Sequence, residues 1–225
     1  MKNIKSIIAA LSLAAMFGMS SAHATPVTFN FDGFEVTPQK TVKVDHPGRT
    51  SRTVPAGMYN LSDVSGLPWS VANSPILAFC VELEESIHIG STYTFELERA
   101  EDVLNGNSVA SINRLLSSLS DFNFTNHESA IVQASIWELV YDQALPGDLG
   151  NGDFKLITGG TASVPDVNTY LDAANDYTGA LKYELFVLQR SGNQDLLIWR
   201  EVSAPSAFAL FLVMAGLVLV RTRKA

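Results

Sequence analysis

The chain has 225 residues, a net charge of −8 and a single cysteine, Cys80. All 23 acidic residues but only 10 of the 15 basic ones fall between positions 25 and 201, so that stretch carries −13. Such an acidic body argues against nucleic-acid binding and against docking on an anionic membrane face, both of which need clustered Lys and Arg.

Residues 1–24 read as a secretory signal peptide rather than as part of the fold. Lys2 and Lys5 form a positive start, Ile7 to Phe17 is an apolar run, and Ala22-His23-Ala24 is a small-x-small cleavage site. The mature protein is expected to begin at Thr25. Residues 25–201 are enough for one domain with a real core, or for two small subdomains. Exported domains usually carry cysteines in pairs. An unpaired thiol in that setting is buried as a small hydrophobe, paired between chains, or consumed by other chemistry.

The first third reads as β. Val27 to Phe31 and Thr41 to Val44 alternate apolar and polar residues, as strands with one buried face do. Asp45 to Gly57 is expected to be a loop or an irregular hairpin, and Asn60 to Ser74 an irregular stretch broken by Gly66 and Pro68. Ile76 to Leu83 is a strand carrying Cys80. Gly90 marks a turn before Ser91 to Glu98, another strand with Tyr93, Phe95 and Leu97 on one face.

The period then changes. Ser108 to Leu119 puts Val109, Ile112, Leu115, Leu116 and Leu119 at helical spacing. Thr125 to Glu128 fits a capping box for a helix running to about Tyr141 or Asp142. On that helix Ala130, Gln133, Ala134, Trp137 and Tyr141 share a face. Gln133 is thus placed inward, where a carboxamide without partners costs about 1–3 kcal/mol. It is either bonded to neighbouring backbone or engaged by something else, and Ala130 and Ala134 leave room for an approaching group. Asp148, Asn151 and Asp153 in the turn-rich loop that follows are candidate oxygen ligands for calcium, without EF-hand spacing. Asp166 to Asn175 reads as a short helix, and Tyr183 to Leu188 with Leu196 to Trp199 as a closing hairpin. The predicted fold class is α+β, a β-rich barrel or sandwich-like body with a small helical subdomain.

Phe79-Cys80-Val81, followed by Val132-Gln133-Ala134-Ser135-Ile136-Trp137, resembles the bacterial thioester domains of surface adhesins, whose glutamine motif is apolar-Gln-x-x-apolar-Trp. Many of those domains have an aromatic residue after the cysteine, where this chain has Val81. The resemblance covers roughly residues 40 to 200. It implies a bond between Cys80 Sγ and Gln133 Cδ, formed with no external cofactor and walled by Phe79, Ala130, Ala134 and Trp137. It also implies attack by an amine of a surface protein or polysaccharide, leaving an amide and a free thiol.

The C-terminal end carries a second resemblance. Val202 to Val220 holds no charge, and Arg221, Arg223 and Lys224 follow. The fully apolar part, Ala207 to Val220, is short for a hydrocarbon layer of ~30 Å, although the whole uncharged stretch nearly spans one. An ordinary anchor with its basic end in the cytoplasm is one reading. The other rests on Val202, Pro205 and Ser206 before the apolar run: residues 202–225 resemble a PEP-CTERM sorting signal, with Ser203 and Ala204 replacing that family's first proline and glutamate. It implies transient membrane anchoring, an exosortase-type processing enzyme as partner, and display at the surface or release.

These features point to an exported adhesion or matrix protein rather than an enzyme. Two rivals stay open. One is a non-covalent structural or glycan-binding matrix protein, with Cys80 and Gln133 as ordinary core. The other is a cysteine hydrolase pairing Cys80 with His88 or His127, although the strand around Cys80 offers no helix N-terminus to lower the thiol pKa. His46 and His88 are expected to face solvent, and the scattered histidines give no zinc spacing.

Overall fold

The computed structural model describes residues 24–71, 75–143, 145, 147–157 and 163–202. The predicted signal peptide up to His23 and the sorting tail from Ser203 onward lie outside the described residues, with Pro205, Ser206, Arg221, Arg223 and Lys224 among them. Thr25, the predicted mature start, is the first residue of the first strand.

Nine strands and four helices are described. In chain order they are β1 (Thr25–Phe34), β2 (Lys40–His46), β3 (Arg49–Ala56), β4 (Tyr59–Ser65), β5 (Ile76–Cys80), β6 (Ser91–Arg99), α1 (Ala100–Val103), α2 (Gly106–Ser118), α3 (Asn126–Tyr141), β7 (Lys155–Ile157), α4 (Val164–Asp176), β8 (Tyr183–Arg190) and β9 (Asn193–Glu201). Six strands close a barrel in the order β1-β4-β5-β9-β8-β6, every pairing antiparallel. A second sheet, β3-β2-β7, stands apart from it. The α+β class and the barrel with a small helical part are therefore as the sequence suggests.

Alternation along β1 turns Val27, Phe29 and Phe31 inward. Phe29 meets Phe95 edge-on with centroids 5.2 Å apart, and Phe31 meets Tyr59 at 4.9 Å. Aromatic packing of this kind adds about 0.5–1.5 kcal/mol per pair beyond the area buried.

The hairpin alternative at 45–57 is what forms, β2 turning into β3 with a register shift between Val44 and His46. The stretch from Asn60, expected to be irregular, begins within a strand. Pro55 is accommodated because β3 lies at the sheet edge, where a missing N–H costs no ladder bond. β4 is a true barrel strand whose Tyr59 and Leu61 point inward, and it ends at Ser65, just before Gly66. There φ is +92°, and a Cβ would stand 2.2 Å from Pro26 O, so only glycine fits the close approach of β1. The strand carrying the cysteine stops at Cys80 rather than Leu83. Strand β7 and helix α1, each only three or four residues long, have no periodicity to read.

Helix α3 begins with the predicted box: Glu128 N–H donates to Thr125 Oγ1 (3.2 Å), and Thr125 N–H donates to Glu128 Oε2 (2.8 Å). Its single-face reading needs correction. Residues Ser129 through Leu139 are all buried, because α3 is enclosed by β5 of the barrel, by β2 and β3 of the second sheet, and by α2 and α4. A similar box, Ser163 with Asp166, starts α4 two residues before the expected point.

Candidate functional site

Cys80 and Gln133 meet where the barrel wall gives way to α3. Strand β4 begins at Tyr59, which pairs with Ala78, so no strand faces Cys80 on that side of β5. Alternation turns the peptide groups of Phe79 and Val81 toward β9, where Val81 N–H donates to Asp195 O at 3.2 Å. Those of Cys80 turn the other way, toward α3. Gln133 fills the gap: Cys80 N–H donates to Gln133 Oε1, and Gln133 Nε2–H donates to Cys80 O, both at 2.9 Å. The carboxamide acts as one more residue of the missing strand.

Nothing in this arrangement is wet. Gln133 is 0% and Cys80 1% exposed. Cys80 Sγ donates to Tyr59 Oη at 3.2 Å. Burial first, then the neighbouring Glu82 charge, pushes the thiol up to about 12 against the opposing pull of the Tyr59 bond. The Tyr59 phenol is raised well above its ordinary value, chiefly by burial and also by Cys80. Both groups are therefore neutral at physiological pH, and the sulfur is a thiol rather than a standing thiolate.

The other predicted wall residues divide. Ala130 and Ala134 are fully buried on α3 beside Gln133, and Trp137 is buried one turn beyond it. Trp137 packs near Phe154 (6.3 Å), and its indole Nε1 has no hydrogen-bond partner among the described residues. Phe79 alternates to the opposite face of β5 from Cys80, where it stacks on Trp199 at 5.8 Å. It supports the strand from behind rather than walling the sulfur.

The chain just past Cys80 is pinned down. Arg52 Nη1 donates to Leu83 O (2.6 Å), and Leu83 N–H donates to Tyr141 Oη (3.0 Å). Tyr141 Oη in turn donates to Glu84 Oε2 (2.8 Å). His46, expected in solvent, is 4% exposed, since β2 alternation carries it inward after Val42 and Val44. Its Nδ1 lies 3.2 Å from Glu84 Oε1. Partial burial raises the Glu84 carboxyl, but hydrogen bonds from Tyr141 and Leu83 outweigh it, so the group sits below its usual range.

Beside this segment lies a cleft of about 220 Å³ whose walls include Tyr59, Trp137, Val54, Glu85, Ile87 and Ile89. Tyr59 is the residue that both lines the cleft and touches Cys80 Sγ. Sequence reading missed it, because Tyr59 fell at the edge of a stretch taken as irregular. The alternation of Tyr59-Asn60-Leu61 after Gly57 was the available signal.

No histidine hydrogen-bonds Cys80 among the described residues. His88 is exposed, and its backbone N–H donates to Tyr93 Oη. His127 sits at the start of α3 with Nε2 3.4 Å from Asp166 Oδ2, roughly 9 Å along the helix axis from Gln133. In the acidic loop, Asp148 Oδ2 accepts from Asn151 Nδ2 and Asp148 Oδ1 from Gly150 N–H, which commits the carboxylate to its own turn. Among the described residues no three His, Cys, Asp or Glu side chains are grouped to hold a metal ion.

The chemistry open to Cys80 and Gln133 follows from these contacts. Cys80 N–H already donates to the oxygen that would become an oxyanion if sulfur attacked Cδ. The α3 packing holds the two groups together, which replaces an encounter in solution.

No family model matches the chain, and no curated protein matches it. Among solved structures, the thioester domain of the Staphylococcus aureus TIE protein is similar to it over 77% of each chain, at 11% identity and a TM-score of 0.41.

Proposed function

We propose that this is an exported surface or matrix protein in which Cys80 and Gln133 condense to an internal thioester for covalent adhesion to amine-bearing targets. One observation carries the reading: the Gln133 carboxamide is bonded through both its polar atoms to the backbone of the one cysteine, in a core that excludes water. Sulfur attacks Cδ, the nitrogen of Gln133 leaves as ammonia with the thiol proton, and a Cys80–Gln133 thioester remains. An amine of a partner protein or polysaccharide then attacks Cδ, giving an amide at position 133 and restoring the Cys80 thiol. The dry surroundings keep hydrolysis from competing. The signal peptide, the PEP-CTERM-like tail and the acidic body belong to the same reading: export, transient membrane anchoring, exosortase-type processing and display at the envelope.

A second reading rests on the same bonds. Gln133 closes the barrel seam completely as it stands, so a purely structural clamp in a non-covalent matrix protein also accounts for it. Labelled methylamine separates the two. The thioester protein incorporates it at Gln133, found by peptide mapping, with one new thiol per amine. The clamp incorporates none.

A further inference from the structure

The thioester reading leaves a proton without a carrier. When an amine attacks Cδ, the carbon–sulfur bond breaks and its electron pair goes to Sγ. A bare thiolate is disfavoured there, because the sulfur is buried and burial pushes the thiol up to about 12. The attacking nitrogen meanwhile has one proton too many. Each end of the exchange lacks what the other has in excess.

Tyr59 touches the sulfur and also lines the neighbouring cleft. Its Oη is 3.2 Å from Sγ and accepts the thiol proton in the resting arrangement. The proton of Oη itself has no acceptor among the described residues, so it is free to be given away. The ring packs against Phe31 at 4.9 Å and Phe34 at 4.6 Å, which restrains the hydroxyl beside the sulfur. The same residue forms part of the wall of the 220 Å³ cleft. Trp137 lines this cleft too, and its unpartnered, 1% exposed indole N–H is a ready donor to an arriving molecule. Aliphatic Val54, Ile87 and Ile89 with the Glu85 carboxylate suit a primary amine on an aliphatic arm.

We infer that Tyr59 is a catalytic residue of bond exchange, its Oη carrying a proton from an amine that arrives through this cleft to Cys80 Sγ. The nitrogen bonds to Cδ and gives its surplus proton to Oη; Oη gives its own proton to Sγ as the carbon–sulfur bond breaks. Tyrosine ends unchanged, and the products are an amide at Gln133 and a neutral thiol. In the reverse sense the same hydroxyl takes the thiol proton during formation and passes one to departing ammonia.

This rests on the thioester reading, and one experiment separates their failures. Wild type and Tyr59→Phe, which keeps the packed ring, are compared for mass deficit and for the rate of methylamine addition, with folding checked by circular dichroism. Positioned acid–base groups contribute roughly 10²–10⁴-fold, so a folded Tyr59→Phe should add methylamine about a hundredfold more slowly, or remain at full mass because the bond no longer forms. A Tyr59→Phe protein that forms the bond and adds methylamine at the wild-type rate overturns the Tyr59 assignment alone. A wild type at full mass overturns the thioester and this role together.

Discussion

Gln133 stands to Cys80 as a partner-strand residue would, taking the N–H and giving to the C=O of one β5 residue from a helix rather than from a strand. The barrel ladder ends at Tyr59–Ala78, and a side chain completes it. The first expectation is energetic. In a Cys80→Ala background, where the amide is retained, Gln133→Ala leaves a buried N–H and a buried C=O unpaired at about 1–3 kcal/mol each, so it should lower unfolding free energy by roughly 2–6 kcal/mol in urea titration. Gln133→Glu retains one acceptor but sets a carboxyl oxygen against Cys80 O, and should also destabilise.

Thiol accessibility gives a second expectation. The Cys80 sulfur is buried and its thiol is pushed up to about 12, so thiolate is scarce and hidden at pH 8. Folded Gln133→Ala, which has no amide to condense, should resist iodoacetamide in native buffer and label fully in denaturant. Rapid native labelling would show that the seam is open.

Trp137 separates ring from polar atom. Removing the whole buried ring in Trp137→Ala should cost about 3–5 kcal/mol. Trp137→Phe deletes an indole N–H that has no partner among the described residues, and the loss should be much smaller. Thermal unfolding of the two variants checks the ordering.

The pH dependence follows from two raised carboxyls. Glu138 rises from 4.5 to about 7, first through burial and then through the Asp142 charge, and Glu82 does the same through burial and its acidic neighbours. Folding therefore takes up protons at these groups. Their stabilisation is complete below the unfolded value of 4.5 and is lost as pH rises toward about 7. Stability should fall between pH 5 and pH 8, and Glu138→Gln should flatten part of that slope in denaturant titrations.

Much of this architecture is legible in the sequence where a pattern is long and regular. Alternation identifies β1, β2 and β6, and Thr125 with Glu128 fixes the start of α3. The meeting of Cys80 with Gln133 is legible only through a family-like motif, because nothing in spacing alone brings residues 53 positions apart together. Proline and glycine mislead where tertiary placement overrides them, as at Pro55 on a sheet edge and Gly66 at the end of β4. His46 looks like a surface residue until β2 is seen to be covered by α3. Tyr59 is half legible: the Tyr59-Asn60-Leu61 alternation marks its strand, but its contact with Cys80 depends on the register between β4 and β5.

The mass of the intact mature body tests the central claim most directly. Wild type should be lighter by one ammonia than its sequence requires, with no free thiol after denaturation, while Cys80→Ala and Gln133→Ala match their sequences. A wild-type body at full sequence mass, with a titratable thiol on unfolding, would contradict the thioester.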